Sequence, residues 1–103
     1  MTAKVISRTD AKAVVQPDGD VVAGAVAGLR SALRGMVAEG VRELVVDLSG
    51  VEMIDSSGIG LLISAHNSLS KLGGNLAVTH ASGDILALFQ AMRIHQHFSV
   101  SGE

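Results

Sequence analysis

From Val41 onward the apolar residues change period repeatedly, and this alternation constrains the fold more than any other feature of the chain. Val41 to Leu48 (VRELVVDL) is a short Val/Leu-rich run, expected for a strand buried on both faces in a mainly parallel sheet covered by helices. Ile59, Leu62, Ile63, His66 and Leu69 then recur at helical spacing, predicting a helix that begins around Ser56 to Gly58 and runs to Leu72. Gly73-Gly74 supplies the left-handed stop that helix C-termini favour. Asn75 to Thr79 reads as another strand. Beyond it, Ser82 is placed to cap a helix with Asp84 in its first turn and Ile85, Leu88, Phe89 and Met92 on one inner face. The tail from Ile94 to Val100 is ambiguous between strand and helix. Strand and helix patterns in alternation imply a single α/β layer structure.

The N-terminal part fits the same scheme. Lys4 to Ser7 and Lys12 to Gln16 are β-branched runs separated by Arg8-Thr9-Asp10, two strands and a turn, and Pro17-Asp18-Gly19-Asp20 punctuates the chain after them. Val22, Val26, Leu29, Leu33, Met36 and Val37 follow at helical spacing, with Arg30, Ser31, Arg34 and Glu39 on the other side, predicting an amphipathic helix that ends near Gly40. Gly24, Gly28 and Gly35 lie inside it. Each is less favourable than Ala by about 1 kcal/mol, so tertiary packing must hold the helix together. A length of 103 residues suits one domain spanning residues 1–103. Phe89 and Phe98 are the only aromatics in a chain that is 48% hydrophobic, so its core must be built from Val, Leu, Ile, Ala and Met.

Several function classes are disfavoured on composition. The net charge is −2, with no run of like charge and no Trp or Tyr, so the footprint of a nucleic-acid binder is missing. With no cysteine, disulfides, thiolate metal sites and cysteine catalysis are excluded. The first residues lack a signal-peptide pattern and no segment reaches the roughly 18 apolar residues of a spanning helix, so a cytoplasmic location without membrane insertion is the default expectation. Gly24 and Gly28 have the GxxxG spacing of membrane dimers, but Arg30 and Arg34 follow at once.

The densest chemistry lies in Met53 to Gly60 (MIDSSGIG), at a strand-loop-helix junction where free N–H groups and the helix dipole favour an anion or an oxygen acceptor. One use is structural: Asp55 or Ser56 as an N-cap contributing about 1 kcal/mol, with Gly58 and Gly60 allowing close packing. A second is nucleophilic, with Ser56 or Ser57 activated by His66, His80, His95 or His97 and oriented by an acid such as Asp47. The hydrolase elbow is GxSxG, however, whereas here the glycines follow both serines. A nucleotide cradle lacks both the P-loop lysine and the third glycine of a dinucleotide fingerprint. His95 and His97 place two imidazoles on one strand face if the tail is extended, fewer than the usual zinc set. The remaining use is a phosphoswitch. A helix N-terminus tolerates a phosphoserine, while each added unit charge about 5 Å from Asp55 costs on the order of 3 kcal/mol at an effective dielectric near 20. That is enough to shift a partner affinity about a hundredfold without refolding.

The strand ending in Asp47-Leu48, the Met53–Gly60 segment, Gly73-Gly74 and Leu88-Phe89 stand in the order and spacing of a known family: Val45 to Ile94 resembles the STAS domain of bacterial anti-sigma-factor antagonists. The resemblance implies a single-domain STAS fold, a small mixed and mainly parallel β-sheet flanked by α-helices, with no catalysis, cofactor or metal of its own. It implies that Ser56 is phosphorylated by an ATP-dependent anti-sigma factor serine kinase. The unphosphorylated form then sequesters that kinase, frees the sigma factor and so regulates transcription, and a PP2C-type phosphatase resets the switch. Asp55 would present Ser56 and contact the kinase side, and Ser57, Gly58, Ile59 and Gly60 would shape the turn and its partner surface. One departure concerns the end of the second strand. Where family members carry an acid shortly after a Gly-x-Leu step, Gly19-Asp20-Val21-Val22 has Val at that step, leaving Asp20 to substitute on an altered partner edge. The same fold also serves as a constitutive binding subunit in lipid transport or signalling scaffolds. Monomer and homodimer are both open, and a serine hydrolase is the remote alternative.

Overall fold

The structure, a computed structural model, describes residues 3–103. Within them the chain forms strands β1 (Ala3–Arg8), β2 (Lys12–Pro17), β3 (Glu43–Asp47), β4 (Asn75–Thr79) and β5 (Ser99–Val100), and helices α1 (Ala23–Ala38), α2 (Ser56–Ser70) and α3 (Gly83–Ala91). The sheet runs β1-β2-β3-β4-β5, with β1 antiparallel to β2 and every later pair parallel. This is the mixed, mainly parallel sheet flanked by helices implied by the resemblance.

The strand order explains where the core sits. Each parallel connection steps to the next strand in the same direction, and crossovers of one hand then place α1, α2 and α3 on the same side of the sheet. Burial follows suit. Ala13, Val15, Leu44, Val46, Leu76 and Val78 are fully buried under the helices. Their alternate neighbours Val14, Val45 and Ala77, which lie side by side in the register, are only half-buried. The expectation that Val41 to Leu48 is buried on both faces is therefore corrected: β3 has one helix-covered face and one open face, with Glu43 exposed and Asp47 half-buried on the open side.

Two helix faces also differ from the periodicity. In α3, Ile85 and Phe89 are buried while Leu88 and Met92 are exposed. A helix of nine residues touches the core through one narrow i, i+4 stripe, and Leu88 and Met92 form the next stripe round, facing out. In α2, Leu61 joins the core and Ile63 is half-buried. The helix lies beside α1 and over β4, so its covered face is wider than a single stripe.

The β3–α2–β4 unit is closed by two glycines with separate reasons. Gly73 takes the left-handed conformation (φ +81), as expected of the helix stop, and a Cβ on Gly74 would lie 2.0 Å from the Arg42 carbonyl oxygen. The tail resolves into a 3-10 turn (Ile94–Gln96) followed by β5, which leaves His95 and His97 exposed around the turn and not on a strand face.

Candidate functional site

The C-terminal ends of β2 and β3 and the N-terminal ends of α1 and α2 meet at one edge of the domain, and MIDSSGIG lies there. Val21 and Ile54 form a lone parallel bridge, flanked by Val21 N–H donating to the Met53 carbonyl (3.0 Å) and Asp55 N–H donating to the Val21 carbonyl (3.2 Å). Asp20 secures the same junction by accepting from Glu52 N–H (2.9 Å) and Met53 N–H (3.1 Å). Asp20 is thus a brace that holds the loop before α2 against the loop before α1.

Asp55 is the N-cap of α2 and serves α1 as well. Its Oδ1 accepts from Gly58 N–H (3.0 Å) and its Oδ2 from Ala23 N–H (3.0 Å), the first residue of α1, whose own cap position, Val22, has no side-chain acceptor. One carboxylate therefore terminates two adjacent helices. Donation from Gly58 N–H, with Ala23 and Ser57 N–H adding to it against a smaller opposing effect of desolvation, holds the Asp55 carboxyl below its ordinary value. It stays ionised at neutral pH.

The residues after Asp55 divide into displayed and buried groups. Ser56, Ser57 and Gly60 are exposed, whereas Gly58 and Ile59 face inward. A Cβ at Gly58 would sit 2.3 Å from the Val21 carbonyl oxygen and 2.8 Å from side-chain carbons of Val21 and Ile54, while one at Gly60 would meet nothing within 4 Å. Gly58 and Ile59 therefore shape the turn from beneath. Met53, 59% exposed one residue before the bridge, adds an apolar side chain to this edge. The periodicity did not single it out as a surface residue, because a lone Met in a loop has no pattern to mark it.

The histidines are dispersed. His66 Nδ1 accepts from Leu76 N–H at the start of β4 (3.2 Å), and its ring lies tilted against Phe98 with centroids 5.7 Å apart. His80, in the left-handed region (φ 56), places Nδ1 3.3 Å from Asp47 Oδ1 and 3.2 Å from Thr79 Oγ1. Burial works to raise the Asp47 carboxyl, but hydrogen bonds from Ser49, the nearby His80 and the Gln16 side chain outweigh it and leave it below its ordinary value. The hydrogen bonds of His66 and His80 go to strand and loop groups, so neither histidine is engaged with Ser56 or Ser57. Asp47 and His80 form an acid–imidazole pair whose serine neighbour is Ser49, not Ser56 or Ser57. No cluster of three or more metal-ligating side chains occurs among the described residues.

Comparison with known proteins agrees with this fold. The family described as STAS domain matches residues 2–102. No curated protein sequence matches the chain. Among solved structures, an anti-sigma factor antagonist from Mycobacterium paratuberculosis superposes with a TM-score of 0.85 at 25% identity, covering 99% of this chain and 86% of that one. An anti-sigma-factor antagonist (STAS) domain protein from Planctomyces limnophilus gives 0.83 at 18%, covering 98% and 90%. The phosphorylated form of the Bacillus cell fate determinant SpoIIAA gives 0.75 at 18%, covering 95% and 89%.

Proposed function

The chain belongs to the STAS domain family, and from that premise we propose that it is an anti-sigma-factor antagonist switched by phosphorylation of Ser56. The observation that carries the reading is the exposed first turn of α2, where Ser56 stands beside a carboxylate already committed to both helix ends. Similar structures include an anti-sigma factor antagonist and both forms of SpoIIAA, phosphorylated and unphosphorylated. That a related fold accepts a phosphate supports the same for this one.

The site's electrostatics favour a displayed phosphate over an absorbed one. Gly58 N–H is already taken by the Asp55 side chain, so the helix end cannot offer that donor to a new dianion. Asp55 also repels it. A phosphate on Ser56 therefore projects outward beside Ser57, Gly60 and Met53, the surface that we assign to the anti-sigma factor kinase. Phosphorylation breaks that complex by charge and bulk, and a PP2C-type phosphatase restores it. Asp20, Gly58 and Ile59 act on the partner indirectly, by holding the turn in place. On this reading the protein works in the cytoplasm beside those partners.

The direct test is incubation with the anti-sigma kinase encoded beside the gene and ATP, with the product mapped by mass spectrometry. A single phosphate on Ser56, lost in Ser56→Ala, is expected. Phosphate on Ser57, or none with a kinase shown to bind, overturns the assignment.

A further inference from the structure

Away from the switch edge, the outer surfaces of α1 and α2 enclose a groove of about 290 Å³. We propose that it binds a small amphipathic monocarboxylate, a carboxylate on an unbranched apolar chain. The inference does not rest on the role assigned to Ser56.

The floor is apolar, made by Leu33, Val37, Leu61 and Ala65. Arg30 and Arg34 stand on the α1 wall, and Ser64 and Ser68 on the α2 wall. The arginines are one turn apart, with Cβ atoms about 5–6 Å from each other, a spacing at which two guanidinium forks can address one carboxylate. The ion pairs among the described residues are Arg8 with Glu39 and His80 with Asp47, so neither groove arginine is neutralised within the fold. Arg30 is nonetheless half-buried.

Charge selectivity comes from the helices themselves. The chain has ten acidic residues, yet neither α1 nor α2 contains one. The acids at their ends are occupied, Asp55 with two backbone N–H groups and Glu39 with Arg8. Like charges one turn apart on a helix oppose each other, and an anion between them removes that opposition.

Shape narrows the ligand further. The Asp55 cap joins the two N-termini, so α1 and α2 run side by side in the same direction, and the groove is lined by α1 from Arg30 to Ala38 and by α2 from Leu61 to Ser68. Eight residues of helix span about 12 Å, room for a chain of about eight carbons. Both arginines lie in the first half of that length, so the carboxylate belongs there and the chain runs toward Val37 and Ala65. An apolar cleft of this size with a few convergent polar groups is the usual form of a small-molecule site.

The test is an amide chemical-shift titration of the whole protein with sodium octanoate, kept below its micelle-forming concentration, with octylamine hydrochloride and inorganic phosphate as parallel probes. Octanoate should give saturable shifts in residues 30–38 and 61–68, and both other probes should bind at least tenfold more weakly. The double variant Arg30→Gln, Arg34→Gln should lose at least tenfold in octanoate affinity. Ala65→Leu, which fills the groove and keeps both charges, should lose it as well, and decides the matter if the arginine variant does not fold. Absence of saturable shifts, equal binding of octylamine, or equal binding of phosphate alone overturns the proposal. So does shifting of these amides by a protein partner but not by octanoate, which would make the groove a protein-docking surface.

Discussion

Gly58 and Gly60 look equivalent in the sequence, and the structure predicts opposite effects for the same substitution. A Cβ at Gly58 falls 2.3 Å from the Val21 carbonyl oxygen and 2.8 Å from two side-chain carbons, where ordinary contact begins at 3.4 Å. The α2 N-terminus must retreat by about 1 Å, an overpacking cost of about 1–3 kcal/mol. The retreat also strains the Asp55 N–H bond to the same carbonyl and the cap that reaches Ala23. At about 4–8 °C per kcal/mol for a domain of this size, Gly58→Ala should lower Tm by roughly 5–20 °C. Gly60→Ala meets nothing within 4 Å and lies inside the helix. It should gain about 1 kcal/mol from helix propensity and raise Tm by about 4–8 °C. Thermal and urea unfolding of the two variants beside the parent measures both. Equal stability of Gly58→Ala and the parent would refute the seating of α2 on Val21, and a loss in Gly60→Ala would refute its exposure.

Other consequences are equally direct. The Asp55 and Asp47 carboxyls both lie below the ordinary 3.8 in the folded state, so each contributes stability above that value that is lost as pH falls through its folded value. Tm should therefore fall below about pH 4, and Asp55→Asn should lower Tm at neutral pH while flattening the acid limb, which a pH series of melts will show. His66→Ala removes the acceptor of Leu76 N–H and should cost about 1–3 kcal/mol in urea unfolding, because the amide is left unpaired beneath α2.

How much of this was legible in the sequence depends on the range of each interaction. The order of elements followed from local period, and a cap at the start of α2 was narrowed to Asp55 or Ser56, because that contact is made within one turn; the structure gives it to Asp55. The second half of that cap was not legible, since Ala23 lies 32 residues away and nothing in its own neighbourhood marks an acceptor supplied from elsewhere. Asp20 carries the same lesson, because an acid in a turn reads as surface until the loop it braces is in place. The Val-rich β3 suggested two covered faces because hydropathy does not report on which side crossovers pass; the sequential strand order put all three helices on one side. Leu88 and Met92 misled for a similar reason, as helical spacing identifies a stripe but a short helix buries only one.

A phosphate on Ser56, on the reading proposed above, is read directly by a partner at the displayed first turn of α2. Calorimetric titration of the anti-sigma kinase with unphosphorylated protein and with protein phosphorylated only on Ser56 tests it most directly. Phosphorylation should weaken binding about a hundredfold, equivalent to roughly 3 kcal/mol, with melting behaviour essentially unchanged. Equal affinity of the two forms, or a loss of affinity accompanied by unfolding of the phosphorylated protein, would contradict it.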